Sequence, residues 1–152
     1  MQRLQTRPQF QAVLDGMTIA KTEHLVLHRK TIFSSEAGDR ASFDVGPEVV
    51  NLQLAGAYLQ RQLVLLFPVQ DVWLGAMVPK RWAKRAVTRN AIKRQIYTVS
   101  AEFQARYPHA AFVVRLRREF SRKQFVSAAS SALKDAVRCE VVLLLQAGLD
   151  KP

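Results

Sequence analysis

Residues 83–107 contain neither glycine nor proline and lie between Pro79 and Pro108. Such a stretch permits one long helix, and its side chains sort as a helix requires. At about 100° per residue, Ile92, Ile96, Val99 and Phe103 fall within about 60° of one another, giving a single apolar stripe. Arg89, Asn90, Lys93, Arg94 and Tyr97 lie on an adjoining arc of about 140°. One face is made for a core and the next for a charged partner.

The approach to this helix is more basic still. Residues 79–94 read PKRWAKRAVTRNAIKR, with Lys80, Arg81, Lys84, Arg85, Arg89, Lys93 and Arg94 and no acid. The formal net charge of the chain is +11. Residues 1–76 carry seven basic and seven acidic side chains, whereas residues 77–152 carry sixteen and five, so the whole excess lies in the second half. Like charges crowded on one short element repel each other unless an anionic partner neutralises them. A solvated helix face is the bland alternative, and the absence of any interspersed acid argues against it. Arginine forks take phosphate oxygens in pairs, and Asn90 can bond sugar or base edges. Trp82 and Tyr97 add stacking surfaces among the charges, with core packing as the alternative for Trp82. Aromatics among cations suit RNA better than a lipid surface, which needs a broad apolar face.

Other chemistries find little material. His24, His28 and His109 with a lone Cys139 make a poor zinc set, and one cysteine cannot staple its own chain, as suits a reducing cytosol. Ser131 and Lys134 match Ser-x-x-Lys without its partner motifs. The acids after residue 76 are scattered, and the six glycines are isolated, so neither a carboxylate pair nor a phosphate loop is present. Apolar runs such as 63–67 and 141–145 are far shorter than the roughly 20 residues that span a bilayer, and residues 1–20 have no signal-peptide core. A soluble, cytoplasmic protein without membrane contact is expected.

The remaining elements follow from periodicity. Residues 8–16 predict a short helix through Phe10, Val13 and Leu14, ended by Gly16. Residues 23–33 alternate as a strand, with His24, Val26 and His28 on one side. Residues 34–61 predict a long loop, helical at most near 52–59. The runs 62–67 and 72–78 predict a hairpin, and 110–114 a further strand. Ser121 is a plausible N-cap for a last helix through Phe125, Ala129, Leu133 and Ala136. Residues 141–145 either extend that helix or pack alone. The order describes an α+β layer of one sheet with helices against it. If 72–78 and 110–114 are parallel neighbours, the general rule predicts a right-handed crossover.

Residues 72–78 leading into Lys80 and Arg81, then Arg89-Asn90-Ala91-Ile92-Lys93-Arg94, resemble the bacterial ribonuclease P protein component, whose signature helix carries Arg-Asn-Arg-x-Lys-Arg. Residues 8–14 are similar to that family's first helix, 25–28 to its first strand, 110–115 to its last strand and 121–137 to its last helix. Ala91 and Tyr97 stand where the family commonly has arginine. The resemblance implies an α/β sandwich of the ribosomal protein S5 domain 2-like kind. That fold has a four-stranded sheet in the order αβββαβα and a left-handed βαβ crossover in place of the right-handed one. It implies one RNA-binding domain over 1–152, with an insertion at 34–60 and a C-terminal extension at 139–152.

By the same resemblance, Lys80, Arg81, Lys84, Arg85, Arg89, Asn90, Lys93 and Arg94 would contact the catalytic RNA of ribonuclease P. Phe10, Leu14 and His28, with Tyr97 as a further stacking surface, would line a cleft for the 5′ leader of precursor tRNA. No catalytic residue is expected in the protein, because the RNA hydrolyses the phosphodiester with Mg²⁺ that it mainly holds itself. No protein partner is expected. A structural RNA-binding protein, such as a ribosomal component, would use the same basic helix, and a DNA-groove binder would too, though no dimerisation signature accompanies it.

Overall fold

The computed structural model describes residues 1–32, 47–125, 127 and 130–151. The chain runs β1 (Gln2–Arg3), α1 (Arg7–Leu14), β2 (Met17–Lys21), β3 (Leu25–Lys30), α2 (Pro47–Leu66), β4 (Trp73–Met77), α3 (Ala86–Phe103), a 3-10 turn (Gln104–Arg106), β5 (Ala111–Leu116) and α4 (Ser131–Leu149). The strands form one five-stranded sheet in the order β1-β4-β5-β3-β2. The pairs β1–β4 and β4–β5 are parallel, and β5–β3 and β3–β2 are antiparallel. No helix among the described residues is long and apolar enough to cross a membrane.

Side chains alternate across the pleat, and both faces of the central strands are covered. On one face Leu74 and Ala76 of β4, Phe112 and Val114 of β5, and Leu25 and Leu27 of β3 meet the α3 stripe Ile92, Ile96, Val99 and Phe103, together with Val137, Val141 and Leu144 of α4. On the other face Trp73, Ala111 and Val113 meet Leu4, Val13, Ile32 and Phe67. This double burial explains the unbroken apolar run of β5.

Gly75 is the point where α1 comes closest to the sheet. A Cβ built there would stand 2.5 Å from Phe10 Cε1 and 2.7 Å from Leu4 Cδ1, so glycine leaves the room that the Phe10 ring takes against β4. Gln9 ties the same helix down. Its side-chain oxygen accepts from the Gln5 and Thr6 amides at 2.8 and 3.1 Å, and its amide nitrogen donates to the Leu66 carbonyl at 2.8 Å.

The structure departs from the expected elements in several places. Residues 62–66 belong to α2, not to a hairpin strand. Leu63, Leu66 and Phe67 have helical i, i+3, i+4 spacing and seat together on the α1 face, a pattern that a short apolar run alone does not reveal. The strand missing from the expected set is Met17–Lys21, at the far sheet edge, and a two-residue β1 raises the sheet from four strands to five. The expected loop at 34–61 is helical from Pro47 onward, and its residues 34–46 lie outside the described residues.

The last helix is capped by Ser130, whose hydroxyl accepts from the Leu133 amide at 3.1 Å. Ser121 instead closes a turn, its carbonyl accepting from the Phe125 amide at 2.9 Å. Residues 141–145 continue α4, and the Tyr107 hydroxyl donates to the Leu145 carbonyl at 2.6 Å. Burial of that hydroxyl pushes its pKa up to about 12.

His24 does not share a face with His28. It sits in the turn before β3 and reaches α4, with Nδ1 2.8 Å from Glu140 Oε2 and its amide 2.6 Å from Glu140 Oε1. Thr22 donates to the same oxygen at 2.6 Å, and Phe120 stacks on the His24 ring at 4.1 Å.

Gly75→Ala is expected to lower stability in urea by about 1–3 kcal/mol through overpacking. In a Phe10→Ala background the same change should cost distinctly less. Equal costs in the two backgrounds would show that the ring is not what Gly75 accommodates.

Candidate nucleic-acid interface

The basic segment leaves the sheet as a turn and enters α3. The Pro79 carbonyl accepts from the Trp82 and Ala83 amides at 3.1 and 3.2 Å, folding 79–83 back on itself. Ala83 is buried in the core, and Lys80, Arg81, Lys84 and Arg85 around it are exposed. From the first turns of α3, Asn90 and Arg94 are exposed and Arg89 and Lys93 half-buried.

Arg89 has a role that the sequence did not suggest. Its Nη1 donates to the Ala83 carbonyl at 3.1 Å and to the Lys84 carbonyl at 2.7 Å, bracing the turn that carries the other cations. No ion pair among the described residues engages any of the seven cations of 80–94; the Lys, Arg and N-terminal pairs among those residues are Met1–Asp71, Arg118–Glu23, Arg122–Glu119 and Arg138–Glu102. Among the described residues this charge meets solvent without a compensating acid, which is the footprint of a polyanion surface.

Trp82 is half-buried against the core, with the Arg81 guanidinium 5.3 Å over its ring. Core residue and stacking surface are here one and the same. The second basic cluster of the chain is different. Arg117 donates to the Thr22 carbonyl at 3.2 Å, Arg118 lies 4.0 Å from Glu23, and Arg122 Nε is 3.1 Å from Glu119.

On the opposite side of the molecule, α1 stands beside an incompletely covered part of the sheet. Strand pairing aligns Gly75, Val113, His28 and Thr18 in one row, and Met77, Arg115, Val26 and Lys21 in the next row on that face. The end of α2 closes the Trp73–Ala111 end of the face. Phe10 and Leu14 of α1 overhang the remaining rows, both half-buried on the same cluster. Beside Phe10, this face of the sheet presents one histidine and two cations.

The family model described as Ribonuclease P matches residues 1–139. The chain belongs to the ribonuclease P protein family. Ribonuclease P protein components of Burkholderia mallei (strain SAVP1) and Burkholderia pseudomallei (strain 668) are each 34% identical over 76 residues, covering 50% of this chain and 56% of the relative. The chain thus matches little more than half the length of these curated relatives. The Staphylococcus aureus ribonuclease P protein superposes with a TM-score of 0.57 at 15% identity, covering 96% of this chain and 94% of that one. A mutant of that protein, described as defective in mRNA degradation activity, gives 0.55 at 15% identity, covering 95% and 85%. These structures share the mixed sandwich fold.

Of the residues expected in a leader cleft, Phe10, Leu14 and His28 lie on the α1 face of the sheet. Tyr97 is not with them. It lies on α3, on the other face of the sheet, where its hydroxyl accepts from the Ala76 amide at 3.3 Å and the Arg3 guanidinium sits 4.3 Å over its ring. It caps the part of the β4 edge that short β1 leaves open. The cations Arg115 and Lys21 of the α1 face were not singled out as cleft residues, because only the strand register sets them beside His28. Arg115 Nε is buried without a partner among the described residues. No three His, Cys, Asp or Glu side chains come together among the described residues.

His28 Nδ1 lies 3.3 Å from the Thr18 hydroxyl. Burial, and then the positive charges of Arg115 and Lys21, hold its pKa below the usual histidine value. Above the unfolded value of about 6.5 the ring is neutral in both states and costs nothing. Below it the unfolded chain takes up a proton that the folded chain resists, so stability is lost as the pH falls. The wild type is expected to lose more stability than a His28→Gln variant between about pH 7 and about pH 5, measured by urea midpoints. Parallel curves for the two proteins would contradict this placement of the charges.

Proposed function

We propose that the chain is the protein subunit of ribonuclease P, a ribonucleoprotein endoribonuclease that removes the 5′ leader of precursor tRNA. The observation that carries this reading is the uncompensated cationic turn at 80–85 running into α3, in a member of the ribonuclease P protein family. Lys80, Arg81, Lys84, Arg85, Asn90, Lys93 and Arg94 hold the catalytic RNA through its phosphates, and Arg89 holds the turn in shape while offering its other nitrogens to the RNA.

The sheet face beside α1 takes the single-stranded leader. Phe10 offers a ring face to a base, and Arg115 and Lys21 lie where backbone phosphates would pass. An aromatic beside cations on one face suits a single strand whose bases are free to stack, which favours a leader-binding subunit over a purely structural RNA-binding protein.

Mg²⁺ belongs to the RNA in this reading. The protein surface that faces the RNA is cationic and repels a free divalent ion, whereas folded RNA concentrates phosphates around one. When bound, the ion activates the attacking water and stabilises the leaving oxygen. The protein's part is to neutralise RNA charge and to lengthen the contact with the precursor through its leader.

Replacing Lys84, Lys93 and Arg94 together with alanine should weaken binding to ribonuclease P RNA and flatten its salt dependence. Each lost phosphate contact removes about 0.7–0.9 from the log–log slope. An unchanged slope would place the RNA surface elsewhere. Phe10→Ala should weaken binding of the holoenzyme to precursor tRNA by about 1–3 kcal/mol and leave mature tRNA unaffected. Equal losses on both would remove the leader from this face.

A further inference from the structure

A cleft of about 200 Å³ opens between the basic turn and the segment that leads into α4. Its interior is apolar and aromatic: Trp82 from the turn, Ile92 from α3, Phe120 and Phe125 from the segment after β5, and Leu133 from α4. Its mouth is cationic, lined by Lys84, Arg85 and Arg122. Lys84 and Arg85 have no acidic partner among the described residues, and Arg122 is shared with Glu119.

Cations around the mouth and ring faces inside describe one class of ligand, an aromatic heterocycle attached to a phosphate. A cavity of about 150 Å³ holds a benzene ring, so this one has room for a single base. The walls are also fixed in advance. Phe120 is stacked on His24, which Glu140 holds by two hydrogen bonds, and Phe125 meets the Phe120 ring edge-on with centroids 6.1 Å apart. A cleft whose rings are already ordered loses little freedom when a base enters.

Resting on the reading of 80–94 as an RNA surface, we propose that this cleft takes one unstacked nucleotide of the RNA partner. The base lies against Trp82 and Phe125, and its phosphates lie between Lys84, Arg85 and Arg122. The basic turn then reads an RNA feature, an extruded base at a fixed place, in addition to backbone charge. It also gives the family-matched turn and the α4 end of the chain a common ligand, since the two sides of the cleft come from residues far apart in sequence.

The test uses the full chain and ribonuclease P RNA. Phe125→Leu keeps apolar volume and removes the π-face, and Phe125→Ala removes both. Both should weaken RNA binding by roughly five- to a hundred-fold, the range of one lost base stack, with the salt slope unchanged because no phosphate contact is lost. In a Trp73→Phe background, where Trp82 is the remaining tryptophan, bound RNA should shield Trp82 from acrylamide quenching. Wild-type affinity in Phe125→Leu, or Trp82 equally quenched with and without RNA, would overturn the base site. The RNA-surface reading would survive that result if the Lys84, Lys93 and Arg94 replacement still flattened the salt slope. Failure of the wild type to bind the RNA at all would remove both.

Discussion

Burial of β4 and β5 on both faces is the constraint on which the rest of the molecule depends. The apolar stripe of α3 needs Leu74, Ala76, Phe112 and Val114 beneath it, and that seating turns the adjoining arc of Asn90, Lys93 and Arg94 outward. The opposite face needs Phe10 and Val13 of α1, and Gly75 lets the helix come close enough. The basic arc and the face beside α1 are therefore two products of one packed sheet. Full burial of Ile96, Val99 and Val114, each worth about 1.5–3 kcal/mol, gives α3 the anchoring needed to hold like charges together against their repulsion.

Uncompensated charge costs stability in the free protein and becomes favourable only in contact with a polyanion. The chain confines that cost. Arg117, Arg118 and Arg122 meet nearby carbonyls or acids, whereas the cations of 80–94 meet no acid among the described residues. Even within that segment Arg89 is partly withdrawn to brace the turn. An account based on net charge alone would treat these arginines as equivalent, and their hydrogen bonds show that they are not.

Much of this was legible in the sequence where a pattern ran long enough to be unambiguous. The α3 stripe, the β4 and β5 runs and the basic turn were read correctly because Gly- and Pro-free length, alternation and charge each pointed one way. Residues 62–67 were misread because five apolar residues have no period of their own, and only their docking on Ile32 and Trp73 decides for helix. Met17–Lys21 was missed because an edge strand with three exposed residues has little apolar signal. Ser121 and Ser130 are equivalent as local caps, and the buried Leu133–Val137–Val141 stripe selects the second. In the candidate site, Tyr97 was grouped with Phe10 by residue type, but the sheet lies between them. Arg115 and Lys21 became visible only through strand register.

The central claim is that the protein assists an RNA enzyme and does not cleave RNA itself. Reconstitution tests it most directly: purified chain, ribonuclease P RNA and precursor tRNA are combined at a Mg²⁺ concentration too low for the RNA alone, and the 5′ end of the product is mapped. The account predicts cleavage at the mature 5′ end only when both macromolecules are present. Cleavage by the protein without the RNA, or RNA activity unchanged by adding the protein, would contradict it.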